Sequence, residues 1–323
     1  MKILFTSVGR RVELMQAFYH AADDLGIELA IIGTDITNSA PALQFCDMTE
    51  ITCRISDSEY IPTLLSICAK EKVSCLIPTI DTDLLLLSEN KTRFEQIGTK
   101  VLISSPEKVK ICRDKNYSAD YFISLGLKSP LSANSVEKYK KSLNSRSQRF
   151  PAFIKPKDGS SSIDAYRVDN LDELELYAEK IKDYIIQPFI SGCEFTIDIF
   201  CDYDGNPVFI TPRERLAVRA GEVMKTKIVQ DEIMIDEMRT LIADYKPCGQ
   251  ITVQLIQEKK TGDNYYIEIN PRFGGGAPLS MKAGADSSKA VLRMLSGQKL
   301  EYVPHAAKDG AIYCRFDQSI CVN

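Results

Sequence analysis

The sequence predicts a mixed chain: an α/β unit built on a parallel sheet, followed by a larger α+β part with mostly antiparallel sheets. Three observations carry this. Strand-like and helix-like segments alternate through the first hundred residues, in the order that builds a parallel sheet. From Ala152 onward short β-type runs dominate. A length of 323 residues exceeds one ordinary domain, so two or three packed units with a cleft between them are expected.

In the first unit, Lys2 to Thr6 is a β-type run, and Arg11 to Leu25 carries Val12, Met15, Phe18, Tyr19 and Ala22 at helical spacing. Glu28 to Gly33 reads as a second strand, Tyr60 to Lys70 as a helix and Val73 to Pro78 as a further strand. The turn Ser7-Val-Gly-Arg-Arg11 stands where a Rossmann-like fold receives an anion at a helix N-terminus, and Asp35 follows the second strand. A dinucleotide fingerprint needs three glycines, whereas this loop has only Gly9, which reads better as a plain turn residue. Ser105-Pro106 supplies a helix N-cap with proline at the first helical position and marks a boundary. The units expected are 1–104, 105–183 and 184–323.

In the second part, strands are expected at Ala152 to Lys155, Tyr184 to Ile190, Glu194 to Cys201, Pro207 to Arg213, Lys225 to Gln230, Gln250 to Glu258 and Tyr265 to Asn270. Helices are expected at Leu171 to Lys182, Glu232 to Tyr245 and Lys282 to Ser296.

Composition narrows the function classes. A hydrophobic fraction of 44% with 26% charged residues is globular, and a net charge of −4 provides no basic field for nucleic acid. The opening apolar run is too short for a signal peptide and is broken by Arg10 and Arg11, so a soluble cytoplasmic protein is expected, without membrane association. The ten cysteines are scattered with no Cys-x-x-Cys pair, which reads as reduced core thiols, and the two histidines build no zinc site of usual spacing.

The most informative stretch is Gln250 to Arg272. Two alternating runs flank Lys259-Lys-Thr-Gly-Asp263, a turn of hairpin length. With the turn centred on Thr261, Gln254 lies across from Glu268 and Thr252 across from Asn270. Period two then sends Ile251, Val253, Leu255, Ile267 and Ile269 one way and Gln254, Glu268 and Asn270 the other. Three oxygen-bearing side chains on one face suit hard Mg²⁺. A half-buried hairpin facing water gives the same alternation, but Pro271-Arg-Phe-Gly-Gly-Gly276 follows at once, with a guanidinium fork for phosphate and glycines that permit close approach. Upstream, Phe153-Ile-Lys155 is a strand ending in lysine, and the loop through Ser160 and Ser161 can cover phosphates with its amides; by itself that loop reads as an ordinary surface turn.

These residues together resemble the ATP-grasp superfamily, most closely the carbamoyl-phosphate synthetase large-chain group, over essentially the whole chain. The resemblance implies a Rossmann-like pre-ATP-grasp domain followed by a two-lobed ATP-grasp domain. It further implies an ATP- and Mg²⁺-dependent ligase that activates a small carboxylate as an acyl phosphate for attack by an amine or ammonia. Lys115 and Lys155 correspond to the nucleotide-phosphate lysines, with Ser160 and Ser161 in the covering loop. Gln187, Pro188, Phe189 and Ile190 correspond to the adenine hinge and Glu194 to the ribose carboxylate. Gln254, Glu268 and Asn270 correspond to the metal ligands, and Arg272 to the arginine on the transferred phosphate. Arg213, Arg219 and Lys225 lie where related enzymes bring cations to the γ-phosphate; for these a salt-bridged surface role weighs equally. The chain has length for one of the two ATP-grasp halves of a complete synthetase, so a single-module relative is expected. A dimer is the default assembly. The rival readings are an ATP-binding regulator or scaffold without turnover and an NAD(P)-linked oxidoreductase.

Overall fold

The computed structural model describes residues 1–145, 148–157 and 164–322. The N-terminal part contains β1 (Lys2–Thr6), α1 (Val12–Leu25), β2 (Ala30–Asp35), β3 (Met48–Ile51), α2 (Tyr60–Glu71), β4 (Cys75–Pro78), α3 (Leu84–Glu89), α4 (Lys91–Gln96) and β5 (Lys100–Val101). Its sheet has the order β3-β2-β1-β4-β5, and the pairings are parallel. Both faces are covered, so strands such as Cys75–Pro78 are buried along their whole length. The order reverses between β1 and β4, which opens a crevice at their carboxyl ends.

Three helices follow: α5 (Pro106–Arg113), α6 (Lys115–Ser124) and α7 (Val136–Asn144). Ser105 is the N-cap of α5 with Pro106 in its first turn, as the sequence suggested. Then come β6 (Ala152–Pro156), β7 (Tyr166–Val168), α8 (Leu171–Lys180) and β8 (Tyr184–Pro188). These strands form a small antiparallel sheet, β7-β6-β8, whose Ala152, Ile154, Val168 and Ile186 pack with Tyr139 of α7 and Leu174 of α8 into a core of their own.

The largest sheet is built from β9 (Gly192–Cys201), β10 (Pro207–Arg219), β11 (Glu222–Ile228), then, after α9 (Glu232–Tyr245), β12 (Gly249–Glu258) and β13 (Asn264–Asn270). After α10 (Ala277–Ala283) and α11 (Ser287–Leu295), β14 (Ile312–Cys314) completes the order β13-β12-β9-β10-β11-β14. Phe195, Ile197 and Ile199 on β9, with Ile251, Val253 and Leu255 on β12, bury one face of the sheet against Met234, Met238 and Leu241 of α9. The opposite face carries the polar positions.

Three expectations need correction. The single helix expected over Lys282 to Ser296 is two, because Gly284 sits at φ 124° and Asp286 accepts from the Lys289 amide to start α11 afresh. Strand β10 continues six residues beyond Arg213 as a ribbon with β11, closed by Ala220 and Gly221, both at positive φ, as a two-residue hairpin turn requires. Ile267 does not join the apolar face: Tyr266 takes that place, fully buried opposite Leu255.

Candidate active site

The polar face begins with the β12–β13 ladder. Thr252 pairs with Asn270 and Gln254 with Glu268, the register expected from the alternation. The next pair is Leu255 with Tyr266, so Ile267 is an extra residue on β13, a bulge. The bulge lets Tyr266 stay in the core while Glu268 points to the same side as Gln254. Asn270 Nδ2 donates to Glu268 Oε1 at 3.1 Å, tying two of the three oxygen-bearing groups together.

Lys155 reaches this patch from β6. Burial pulls its pKa down to about 8, Lys115 adds to the drop by like-charge repulsion, and Glu268 partly offsets both. The lysine and the carboxylate therefore share one electrostatic site, although they are 113 positions apart in the sequence. Lys115 opens α6 and donates to the Lys157 carbonyl at 3.3 Å. Asp114 fixes this junction: one carboxylate oxygen caps α6 through the Asn116 amide at 2.8 Å, and the other pairs with Lys157 at 2.8 Å. Ser160 and Ser161 lie outside the described residues.

The segment expected as a hinge connects the small sheet to the large one. Gln187 is buried, its Nε2 donating to Ser132 Oγ at 2.8 Å and to the Pro130 carbonyl at 3.3 Å, so its side chain holds structure. Pro188 ends β8, the Phe189 amide donates to the Pro151 carbonyl at 2.9 Å, and Ile190 is buried. Arg167 stacks over Phe189, 5.0 Å from the ring centre. Glu194 stands on β9 with its side chain 55% exposed, within 3.3 Å of Arg215 Nε.

Arg215 is the cation that the sequence reasoning passed over. Its side chain is only 8% exposed, and it donates to the Gly221 carbonyl at 2.9 Å and to Thr196 Oγ1 at 3.4 Å. Burial lowers its pKa, and the surrounding carboxylates of Glu194, Glu268 and Glu222 act against that. The signal was present as Arg213-Glu-Arg215, two arginines at strand period two on one face.

Arg213 serves the interior instead. Its side chain is 2% exposed and donates from Nε to Asp198 Oδ2 at 2.8 Å, and Ser280 and Thr252 also donate to that carboxylate. Arg219 ends β10 at the ribbon tip, where one guanidinium nitrogen donates to both carboxylate oxygens of Asp317 on the surface. Lys225 is exposed on β11, and alternation sets it on the side opposite Thr226, the cross-strand partner of Arg215. The structure thus gathers Lys115, Lys155, Gln254, Glu268 and Asn270 with Arg215, and does not join Arg213, Arg219 or Lys225 to them.

Arg272 leaves β13 and turns toward the N-terminal unit. It pairs with Asp81, donates to the Asn270 side chain at 3.4 Å, and keeps a buried Nε without a hydrogen-bond partner among the described residues. The glycines after it pack on protein: a Cβ on Gly275 would lie 2.0 Å from Glu222 Oε2, and one on Gly276 would lie 2.6 Å from an Arg213 nitrogen. Their lack of a side chain is what lets the loop lie flat on the sheet.

Residues 3–102 match the family described as the PylC-like N-terminal domain, and residues 180–313 match the family described as ATP-grasp in the biosynthetic pathway with Ter operon. The N-terminal section of the carbamoyl phosphate synthase large chain of Aquifex aeolicus is 26% identical over 296 residues, covering 82% of this chain and 52% of that protein. The chain thus spans about half the length of that relative. The carbamoyl-phosphate synthase of Methanobrevibacter smithii is 26% identical over 333 residues, covering 94% of this chain and 84% of its own. Among solved structures, the biotin carboxylase domain of the Hydrogenobacter thermophilus 2-oxoglutarate carboxylase, in complex with MgADP, ADP and bicarbonate, superposes with a TM-score of 0.76 at 18% identity, covering 97% of this chain and 74% of that one.

Proposed function

From the premise that this chain is an ATP-grasp protein similar to the carbamoyl-phosphate synthase large chain, we propose that it is an ATP- and Mg²⁺-dependent carboxylate–amine ligase. The observation that supports this most is the cross-strand pair Gln254–Glu268 with Asn270 beside it, in the electrostatic reach of Lys155. The donor set fits a hard cation, since all three groups offer oxygen and two are neutral amides. Gln254, Glu268 and Asn270 would hold Mg²⁺, which would supply positive charge to neutralise the phosphates.

The residues divide the work by position. Lys155 and Lys115 neutralise nucleotide phosphates, Glu194 accepts hydrogen bonds from the ribose, and the chain around Gln187 to Ile190 presents backbone groups to the adenine. Arg272 and Arg215 steady the transferring γ-phosphoryl group. A substrate carboxylate oxygen attacks the γ-phosphorus as its bond to the ADP oxygen breaks. An amine then attacks the acyl carbon, phosphate leaves with the C–O electron pair, and the nitrogen sheds its proton. Positioning and charge suffice for both steps, and no protein nucleophile is needed.

The same proposal takes 1–104 as the pre-ATP-grasp unit, 105–183 as linker helices and small lobe, and 184–323 as the large lobe. It extends to a cytoplasmic location, in keeping with the unbonded buried thiols of Cys68, Cys75, Cys201 and Cys248, and to a homodimer, which light scattering would check. Among the described residues no helix is long and apolar enough to cross a membrane.

The direct test is ATP-dependent phosphate release screened over amino acids and small carboxylic acids. Glu268→Ala should abolish the substrate-dependent release while circular dichroism stays native. Turnover that survives Glu268→Ala would show that this carboxylate is no metal ligand.

A further inference from the structure

The two loops that flank the sheet's switch point, after β1 and after β4, supply charged residues to the same place as Arg272. Arg11 donates to the Thr79 carbonyl at 3.2 Å, so the β1 loop is pinned to the β4 loop. Asp81 of the β4 loop pairs with Arg272. From the other half, Glu222 lies against Gly275, and the site a Cβ on Gly275 would take is 2.0 Å from Glu222 Oε2 and 2.9 Å from Arg11 Nη1. Arg315, just past β14, spans the halves: it is 3.3 Å from Glu222 and 3.5 Å from Glu13 of α1.

Three guanidinium groups therefore face three carboxylates. Burial brings the Arg11 pKa down to about 10, and Arg272 and Arg315 push the same way, against Glu222 and Asp81. An arginine so desolvated and so close to like charges gains from an anionic ligand. The carboxylates of Asp81 and Glu222 are each 41% exposed, so a ligand can reach them, while Arg272 is 12% exposed.

We propose that this crevice binds the carboxylate substrate, and that the substrate is an amino acid. Its carboxylate lies between Arg11 and Arg272, and its ammonium group lies toward Glu222 and Asp81. The charge balance selects the class: a di- or tricarboxylate would set its extra anion against Asp81, Glu222 or Glu13. The inference rests on the ligase reading, because it places the carboxylate beside the arginine that steadies the phosphoryl group.

The test is calorimetric titration of the full chain, saturated with MgADP, using the common amino acids singly and then succinate and glutarate. One or more amino acids should bind, and Arg11→Ala should weaken that affinity at least tenfold. Arg11→Lys keeps the charge but loses the fork, and should weaken it to an intermediate degree; it also serves should the alanine variant misfold. Binding of the dicarboxylates in preference to amino acids, binding of no probe at all, or unchanged amino acid affinity in both variants would overturn the proposal. Failure of the wild-type chain to bind MgADP would instead count against the ligase reading itself.

Discussion

Gln254 and Glu268 are cross-strand partners, and the next pair in their ladder is Leu255 with Tyr266, which leaves Ile267 unpaired between them. The bulge thus sets Tyr266 and Glu268 on opposite sides of β13, where strict alternation through Ile267 would set them on one. Deleting Ile267 should give a regular ladder in which Glu268 still faces Gln254 and Tyr266 still faces Leu255, so neither changes side. We expect the deletion variant to retain substrate-dependent phosphate release; a loss of about a hundredfold or more would mean that the local twist of the bulge itself aims Glu268.

The lowered pKa of Lys155 predicts an alkaline limb in nucleotide affinity. The charged ammonium is the form that attracts phosphate, and in the free protein it is lost as pH rises through about 8. MgATP affinity should fall by about tenfold per pH unit above that point. Arg replaces Lys without a titration in this range, so Lys155→Arg should abolish the limb even if it binds less tightly at neutral pH. Titrations between pH 6 and pH 10 would decide, and a flat wild-type profile would refute the prediction.

Asp198 is buried at 3% exposure and accepts from Arg213, Ser280 and Thr252. Arg213→Met would strand that carboxylate without its counter-charge, which should cost about 3–5 kcal/mol of stability. Adding Asp198→Asn removes the stranded charge and should recover a large part of the loss. Urea unfolding would measure both, and equal destabilisation by the single and the double variant would argue against a paired role.

Asp83 offers a pH test in the first sheet. Burial raises its pKa from 3.8 to about 6, although Thr6 and Tyr60 both donate to it, and its Oδ1 has no partner among the described residues. A carboxyl raised in the folded state binds its proton more tightly there than in the unfolded chain. Its contribution is therefore greatest at acid pH and is lost as pH rises from about 4 to about 6, on the order of 3 kcal/mol. Asp83→Asn should flatten stability across that window and raise the melting temperature at pH 7; a variant with the wild-type slope would exclude this carboxyl as the source.

The sequence disclosed the β12–β13 hairpin because alternation of apolar and polar residues is a local signal, and both members of each pair lie within one turn of chain reversal. It did not disclose the bulge, since Tyr266 and Ile267 are both apolar enough for the core and only packing chooses between them. Arg213 and Arg215 share one strand face, so no pattern tells which is buried on Asp198 and which looks toward Glu194. Asp81 was invisible for another reason: it meets Arg272 across 191 positions, and the contact exists only because the first sheet's switch point is turned toward the second half. Charge and neighbourhood single out Arg219 and Lys225 in the sequence, but do not register that a ribbon tip or the other face of a strand takes them elsewhere.

The apolar cores also divide the molecule unequally. One cluster runs without a break from Ile3 and Phe18 of the first sheet to Phe273, Met281 and Val291 behind the glycine loop, with Phe18 and Phe273 edge-on at 6.0 Å. The small sheet keeps its own, drawn from Ala133 to Ile186. Prising the first sheet from the second would wet a shared interior, whereas the interior of the small sheet is drawn from its own elements and their neighbouring helices. Lys155 rides on that small sheet and Glu268 on the large one, so the cation and the carboxylate that share one site are carried by separate interiors.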